Sequence, residues 1–203
     1  MPPKARFTKQ MIEDAAFELA KQRGIEAVAA REVAKALNMT VTPIFGSFTN
    51  MSELRQTVYE RAKAEFQAYL RGCLDYTYCL RWVCYAAENQ NLYRFLMQRM
   101  WTSEDKRGVL PELEAPLLAE LTELFSLSHE AASELVAHML IYSGGLCTLL
   151  QQGNMPLSEA DISRRLSQLC GSLAVAGNLA AGTLSAADAE RLYRAAEIRP
   201  KHA

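Results

Sequence analysis

Excess charge of either sign is missing from this chain: 22 Lys and Arg stand against 23 Asp and Glu, a formal net charge of −1. Such a balance excludes bulk electrostatic coating of nucleic acid, so any polyanion contact has to be local. Histidine is scarce, and His129, His138 and His202 stand in no metal-ligand spacing with cysteine or carboxylates. The five cysteines, Cys73, Cys79, Cys84, Cys147 and Cys170, are odd in number and form no Cys-x-x-Cys pair. Cys79 and Cys84 point about 140° apart on a helix, which argues against a bridge between them. Their apolar surroundings predict buried free thiols in a reducing compartment, with a redox switch as the alternative. No uninterrupted apolar run is long enough for a bilayer, and no signal core follows the N-terminus, so a cytoplasmic chain without membrane contact is expected. There is no convincing strand, hence no glycine-rich phosphate loop after one. Ser143-Gly144-Gly145 lacks the Gly-x-Ser-x-Gly setting of a nucleophile elbow. The chain is not read as an enzyme, and no cofactor or metal is expected.

What is present is apolar residues at helical spacing. Half of the 203 residues are hydrophobic, enough for a buried core. Charge is spread unevenly: residues 1–70 hold ten basic against eight acidic groups, and residues 71–203 hold twelve against fifteen. That sign suits a DNA-facing head and a neutral or acidic body. Thr8 is placed to cap a first helix running to Arg23, with Gly24 as its stop. A short helix follows from Ala30 to Leu37, then a turn at Asn38. Thr40 is expected to cap a third helix ending near Phe48. Asn50 and Ser52 open a fourth, running to Leu70 or Cys73. Further helices are expected over 75–89 and 91–101, then one ending at Phe125 with Pro116 inside it. Ser128 opens a long helix to Gln152. Ser158 and Asp161 look like a capping box for another to Ala181, and Ser185 caps a last one. The fold class predicted is all-α, with about ten helices.

Residues 29–48 have the physics of a helix-turn-helix. Two short helices meet through a tight turn at Asn38-Met39-Thr40, and Val33, Leu37, Met39, Ile44 and Phe48 can form the small core fixing their angle. Such a pair projects the outward face of its second helix into a major groove. That face offers Thr40, Val41, Thr42, Phe45 and Ser47: hydroxyls and apolar groups, with no Arg, Lys, Asn or Gln. Phosphate contacts are expected from Lys4, Arg6 and Lys9 in the N-terminal arm and from Arg31 and Lys35.

The wider pattern resembles the TetR family of transcriptional regulators. Its matches run in order from Ile12 and Ala15-Ala16 through Gly24, Arg31-Glu32-Val33-Ala34, Asn38, Ile44-Phe45 and Phe48 to Leu54. The resemblance implies a three-helix helix-turn-helix head at 1–50 and a helical ligand-binding and dimerisation bundle at 51–203. It also implies a homodimeric repressor on a near-palindromic double-stranded operator. The head departs from the family pattern where Ala29 replaces a capping Thr, Phe45 a Tyr and Met51 a Lys. Each change removes a group that serves DNA-backbone contacts.

The body carries a run of large groups from Tyr76 to Trp101, and a core is their ordinary use. The wealth of Tyr, Trp and Met also suits a pocket for a small, largely apolar ligand. Trp82, Tyr85, Met97, Met100 and Trp101 are its candidates, joined by His138, Met139 and Tyr142 at three- and four-residue spacing on the long helix. In the family the last two long helices make the dimer. Here that implies pairing through Gly144, Leu166, Leu169, Leu173, Gly177 and Ala181, whose small members allow close backbone approach. The alternative is a helical protein-interaction or small-molecule-binding module whose degenerate head does not bind DNA.

Overall fold

A computed structural model describes residues 7–71, 77–102, 111–153, 157–180, 182 and 186–195. The side chains at 100–102, 111–114, 186–187, 192–193 and 195 lie outside that description. Among the described residues every regular element is helical. They are α1 (Lys9–Arg23), α2 (Ala30–Ala36), α3 (Thr42–Ser47), α4 (Met51–Arg71), α5 (Tyr78–Glu88), α6 (Gln90–Thr102), α7 (Pro111–Phe125), α8 (His129–Gln151), α9 (Glu159–Ala180) and α10 (Ala186–Ala195). A 3₁₀ turn, Ile25–Ala27, follows α1.

Local chemistry sets the helix ends. Thr8 Oγ1 accepts from the Met11 N–H at 3.2 Å, and Ser128 Oγ accepts from the Ala131 N–H at 3.2 Å. Ser158 and Asp161 serve each other: Ser158 Oγ accepts from the Asp161 N–H at 3.1 Å, and the carboxylate takes the Ser158 N–H at 3.3 Å. Each bond satisfies a helix-end donor that has no partner inside its helix. Asn50 and Glu53 open α4 in a related way, Asn50 accepting from Glu53 N–H and Glu53 from Thr49 N–H. The last bond holds the Glu53 carboxyl below its ordinary range.

The chain divides into two compact units, residues 1–67 with 89–106, and residues 68–88 with 107–203. The first of them extends beyond residue 50. Past that point α4 and α6 are bound into the first unit by edge-on aromatic pairs, Tyr59 with Phe95 and Phe66 with Tyr93. Arg99 reinforces them, bonding Gln56 and stacking over Tyr59. Asn91 donates to the Lys21 carbonyl at 3.1 Å, tying α6 to the end of α1.

In the second unit α8 packs against α5, α7 and α9, and α10 packs on α9. By length and composition α8 is apolar enough to cross a membrane, which the sequence reading did not anticipate. In the fold its buried side, including Leu135, Met139 and Leu146, is part of the bundle core, while Glu134 and His138 are exposed. Buried Asn178 donates to the Phe125 carbonyl at 2.9 Å, serving one of the last carbonyls of α7. Pro116 stands beyond the first turn of α7, so the helix lacks one internal donor there. Cys79, Cys84, Cys147 and Cys170 are buried free thiols; Cys73 lies outside the described residues. Burial pushes Cys79 up to about 11 and Cys84 and Cys170 up to about 12. Ser143, also buried, lies within reach of the Cys79 thiol.

Candidate functional site

The head is built around a buried cluster of Ile12, Ala16, Phe17, Ala20, Val33, Ile44 and Phe48. Glycine at position 24 ends α1 with φ +87°, a conformation other side chains resist. Its N–H bonds the Ala20 carbonyl at 2.9 Å. Arg23 then pairs with Glu32 at 2.7 Å, joining the end of α1 to α2 and lowering the Glu32 carboxyl below its usual range. Arg61 of α4 bonds Asp14 and stacks on Phe17 at 4.2 Å, so that α4 grips α1 by charge and ring together. That hydrogen bond lowers the Asp14 carboxyl too. None of these arginine contacts follows from helical periodicity, and the sequence reading missed Arg61 and Arg99.

Asn38 turns the chain with φ +49°. The Met39 N–H reaches the Ala34 carbonyl at 2.9 Å and the Asn38 N–H reaches Lys35 at 3.1 Å. This crossed pair is a Schellman stop, which closes α2 and aims the chain into α3. The expected cap at Thr40 is corrected: the residue ahead of α3 is Val41, in helical conformation and with no side-chain cap. Proline explains the shift. Pro43 has no N–H, so a Thr40 hydroxyl finds no donor at the third helical position, and the Ile44 N–H takes a tighter bond, to the Val41 carbonyl at 3.1 Å. At the start of α2, Ala29 offers no side-chain acceptor.

This geometry divides α3 into two sides. Ile44 and Phe48 are inside, while Thr40, Val41, Thr42, Phe45 and Gly46 are exposed and Ser47 is half-buried. Val41 keeps 37% and Phe45 53% of its surface open. Among the described residues, a Cβ at Gly46 would meet no atom within 4 Å. Lys9, Arg31 and Lys35 are exposed, and the Lys9 ammonium lies 4.8 Å over the Phe48 ring. Lys4 and Arg6 lie outside the described residues. Leu37 and Met39, expected in the small core, are half-buried.

The body candidates are not gathered in one unit. Met97 is half-buried on α6 in the first, whereas Trp82, Tyr85, His138, Met139 and Tyr142 belong to the second. The side chains of Met100 and Trp101 lie outside the described residues. In the second unit Tyr85 is buried edge-on to Tyr69 at 5.3 Å, and Trp82 sits 6.5 Å from Tyr78. Arg81 stacks on Tyr69 at 4.5 Å and donates twice to its carbonyl, at 2.9 and 2.6 Å. Burial raises Tyr69 to about 12. On α8, Met139 is buried and Tyr142 half-buried, but His138 is exposed with Nδ1 2.8 Å from the Glu134 carbonyl. His138 and Met139, about 100° apart on the helix, thus fall on either side of the boundary between solvent and core.

The residues expected to pair two chains point largely inward. Leu166 is fully buried in the chain's own core, which corrects its assignment to a dimer surface. Leu169 and Leu173 are half-buried. Gly177 serves packing within the unit: a Cβ there would stand 3.1 Å from Leu127 and 3.4 Å from Ala131. Ala181 lies outside the described residues. The outward sides of the two helices carry other residues. Ile141 keeps 76% and Leu179 59% of its surface open, and a Cβ at Gly144 or Gly145 would meet nothing within 4 Å. Exposed Gln168, Ser172 and Ala176 follow one another along α9 at four-residue steps.

Comparison with known proteins gives one result, and it falls on the head. Residues 12–58 match the family model described as bacterial regulatory proteins, tetR family. That span holds α2, the Asn38 turn, α3 and the start of α4. No curated protein and no solved structure matches the chain.

Proposed function

Starting from a chain that belongs, by its head, to the tetR family of bacterial regulators, we propose that it is a ligand-responsive repressor acting as a homodimer on a near-palindromic duplex. The single observation carrying this reading is the exposed, uncharged face of α3 set beside exposed Lys9, Arg31 and Lys35 in a head of matching pattern. Cations anchor phosphates and the helix face meets base edges. In a dimer on one DNA side, the two α3 helices stand roughly 34–36 Å apart, one turn of duplex.

The second copy docks on the outward sides of α8 and α9, around Ile141, Gly145, Ala176 and Leu179. Ile141 and Leu179 are large apolar groups left open to solvent, and the glycines leave room for a neighbouring backbone. A small, largely apolar ligand is held in the second unit near Trp82, Tyr85, Met139 and Tyr142. It acts by preferring a conformation whose heads no longer match the operator, since only a difference in affinity between two states shifts their balance.

The test combines sedimentation with binding to a pool of random duplexes across a salt series. The expected result is a dimer whose affinity falls steeply with salt. Replacing Ile141 and Leu179 together by Asp yields a folded monomer with weakened DNA binding. A wild-type monomer at micromolar concentration sinks the dimer. Salt-insensitive or absent DNA binding favours the other reading, a helical interaction module with a degenerate head.

A further inference from the structure

We propose that this head reads thymine methyl groups, so that the positions specifying its operator are A·T pairs. The inference rests on the DNA-binding reading above and names the chemistry that reading leaves open. From Met39 to Thr49 there is no charged residue, no amide and no histidine. The α3 surface therefore lacks the forks that bind guanine O6 and N7 or adenine N6 and N7. Its hydroxyls, on Thr40, Thr42 and Ser47, suit several base edges and separate them weakly. Its other assets are the open faces of Val41 and Phe45.

Only one base shows an apolar group in the major groove, and that is thymine with its C5-methyl. Val41 and Phe45 are four residues apart, so they stand one above the other on the same side of the helix, roughly 5–6 Å apart at Cβ. That separation lies between one and two base steps, at about 3.4 Å each along a strand. The pair thus forms a short apolar ridge able to cover methyls of neighbouring base pairs.

Gly46 supplies a second, independent observation. Glycine in a helix interior costs about 1 kcal/mol relative to alanine, and less at a helix end such as this one, since α3 closes at Ser47. The chain's own packing does not demand it, because a Cβ would meet nothing within 4 Å. Gly46 stands one turn beyond Thr42 and directly after Phe45 on the outward side. The space it leaves admits the duplex, bringing the backbone of α3 close enough for the Val41 and Phe45 side chains to reach the groove floor.

The experiment begins with selection of duplexes from a random pool at low salt. Each thymine of the selected site is then replaced by deoxyuridine, which removes the methyl and nothing else. The expected site is defined by A·T pairs, with about fourfold weaker binding for each contacted methyl lost, the worth of one buried carbon group. Val41→Ala no longer distinguishes thymine from uracil at its position, while Lys35→Ala weakens all sequences alike. Gly46→Ala melts at the same or a higher temperature yet binds the selected site at least tenfold more weakly. A site specified by G·C pairs and indifferent to uracil overturns the inference and leaves the DNA-binding reading standing. Wild-type DNA binding by Gly46→Ala overturns the role of the glycine. No binding to any duplex at low salt overturns both readings together.

Discussion

At Gly46 in the head an added Cβ would meet no atom of the described residues within 4 Å, whereas at Gly177 in the body it would stand 3.1 Å from Leu127. Both glycines sit in helices and both sacrifice helix propensity. In the body the beneficiary is visible: α9 approaches Leu127 and Ala131 of its own unit. In the head no described residue takes up the space. The outward side of α8 is like the head, with Gly144 and Gly145 facing open space. Small size alone therefore does not reveal what a glycine serves; the occupant of the missing Cβ's position does. Charge then separates the two open faces. Exposed lysines and an arginine flank the first, suiting a polyanion, while Glu134, His138 and Gln168 accompany the second.

The contrast can be broken most forcefully at Leu166, which the sequence reading placed on the dimer face. Leu166→Ala is expected to cost about 2–5 kcal/mol of stability through the cavity left behind. Chemical denaturation at several protein concentrations checks it: a core role gives the loss at every concentration, and a loss confined to high concentration restores Leu166 to an interface.

A sharper comparison pairs two glycine variants. Gly177→Leu is expected to destabilise the chain by about 1–3 kcal/mol through overpacking against Leu127. Gly145→Leu is expected to leave the unfolding of the isolated chain nearly unchanged while weakening self-association. Thermal melts and sedimentation of the two variants side by side decide the matter, and equal melting losses would erase the distinction drawn here.

The smallest expected effect is alkaline. Cys79 is raised from near 9 to about 11 in the fold, and Cys84 and Cys170 to about 12, all by burial first. Unfolded thiols ionise first, so the unfolded chain holds fewer protons above pH 9. The thiol contribution is complete below pH 9 and is lost as pH rises through about 11 to 12. Denaturation midpoints at pH 8, 9.5 and 10.5 should fall in that order. Native thiols should resist maleimide at pH 8 and react once the chain is unfolded; fast labelling of native Cys79 contradicts the burial.

Much of the helical plan was legible because caps are local. Thr8, Ser128, Ser158 and the Asn38 turn each act within five residues, and each stands where the pattern put it. Thr40 fails for an equally local reason: Pro43 lacks the N–H that a capping Thr40 side chain would accept from. The α9 error was of another kind. Leu166, Leu169 and Leu173 do mark an apolar face, but an apolar face goes first to the chain's own core. A surface meant for a second copy is left for the opposite side, where the signal is only small residues and an isolated Leu179. The division into compact units was illegible because it depends on Tyr59 meeting Phe95 and Phe66 meeting Tyr93, ring contacts between helices far apart in sequence.

The uncapped start of α2 has a consequence in time. Ala30, Arg31 and Glu32 occupy the first turn, where no carbonyl of the helix can accept from them, and Ala29 brings no side-chain oxygen to do so. Their amide protons are left to water. In deuterated buffer these three exchange early, while the Met11 and Ala131 amides, held by Thr8 and Ser128, exchange more slowly. A serine at position 29 would register first as slower exchange at those three amides, before any rise in melting temperature.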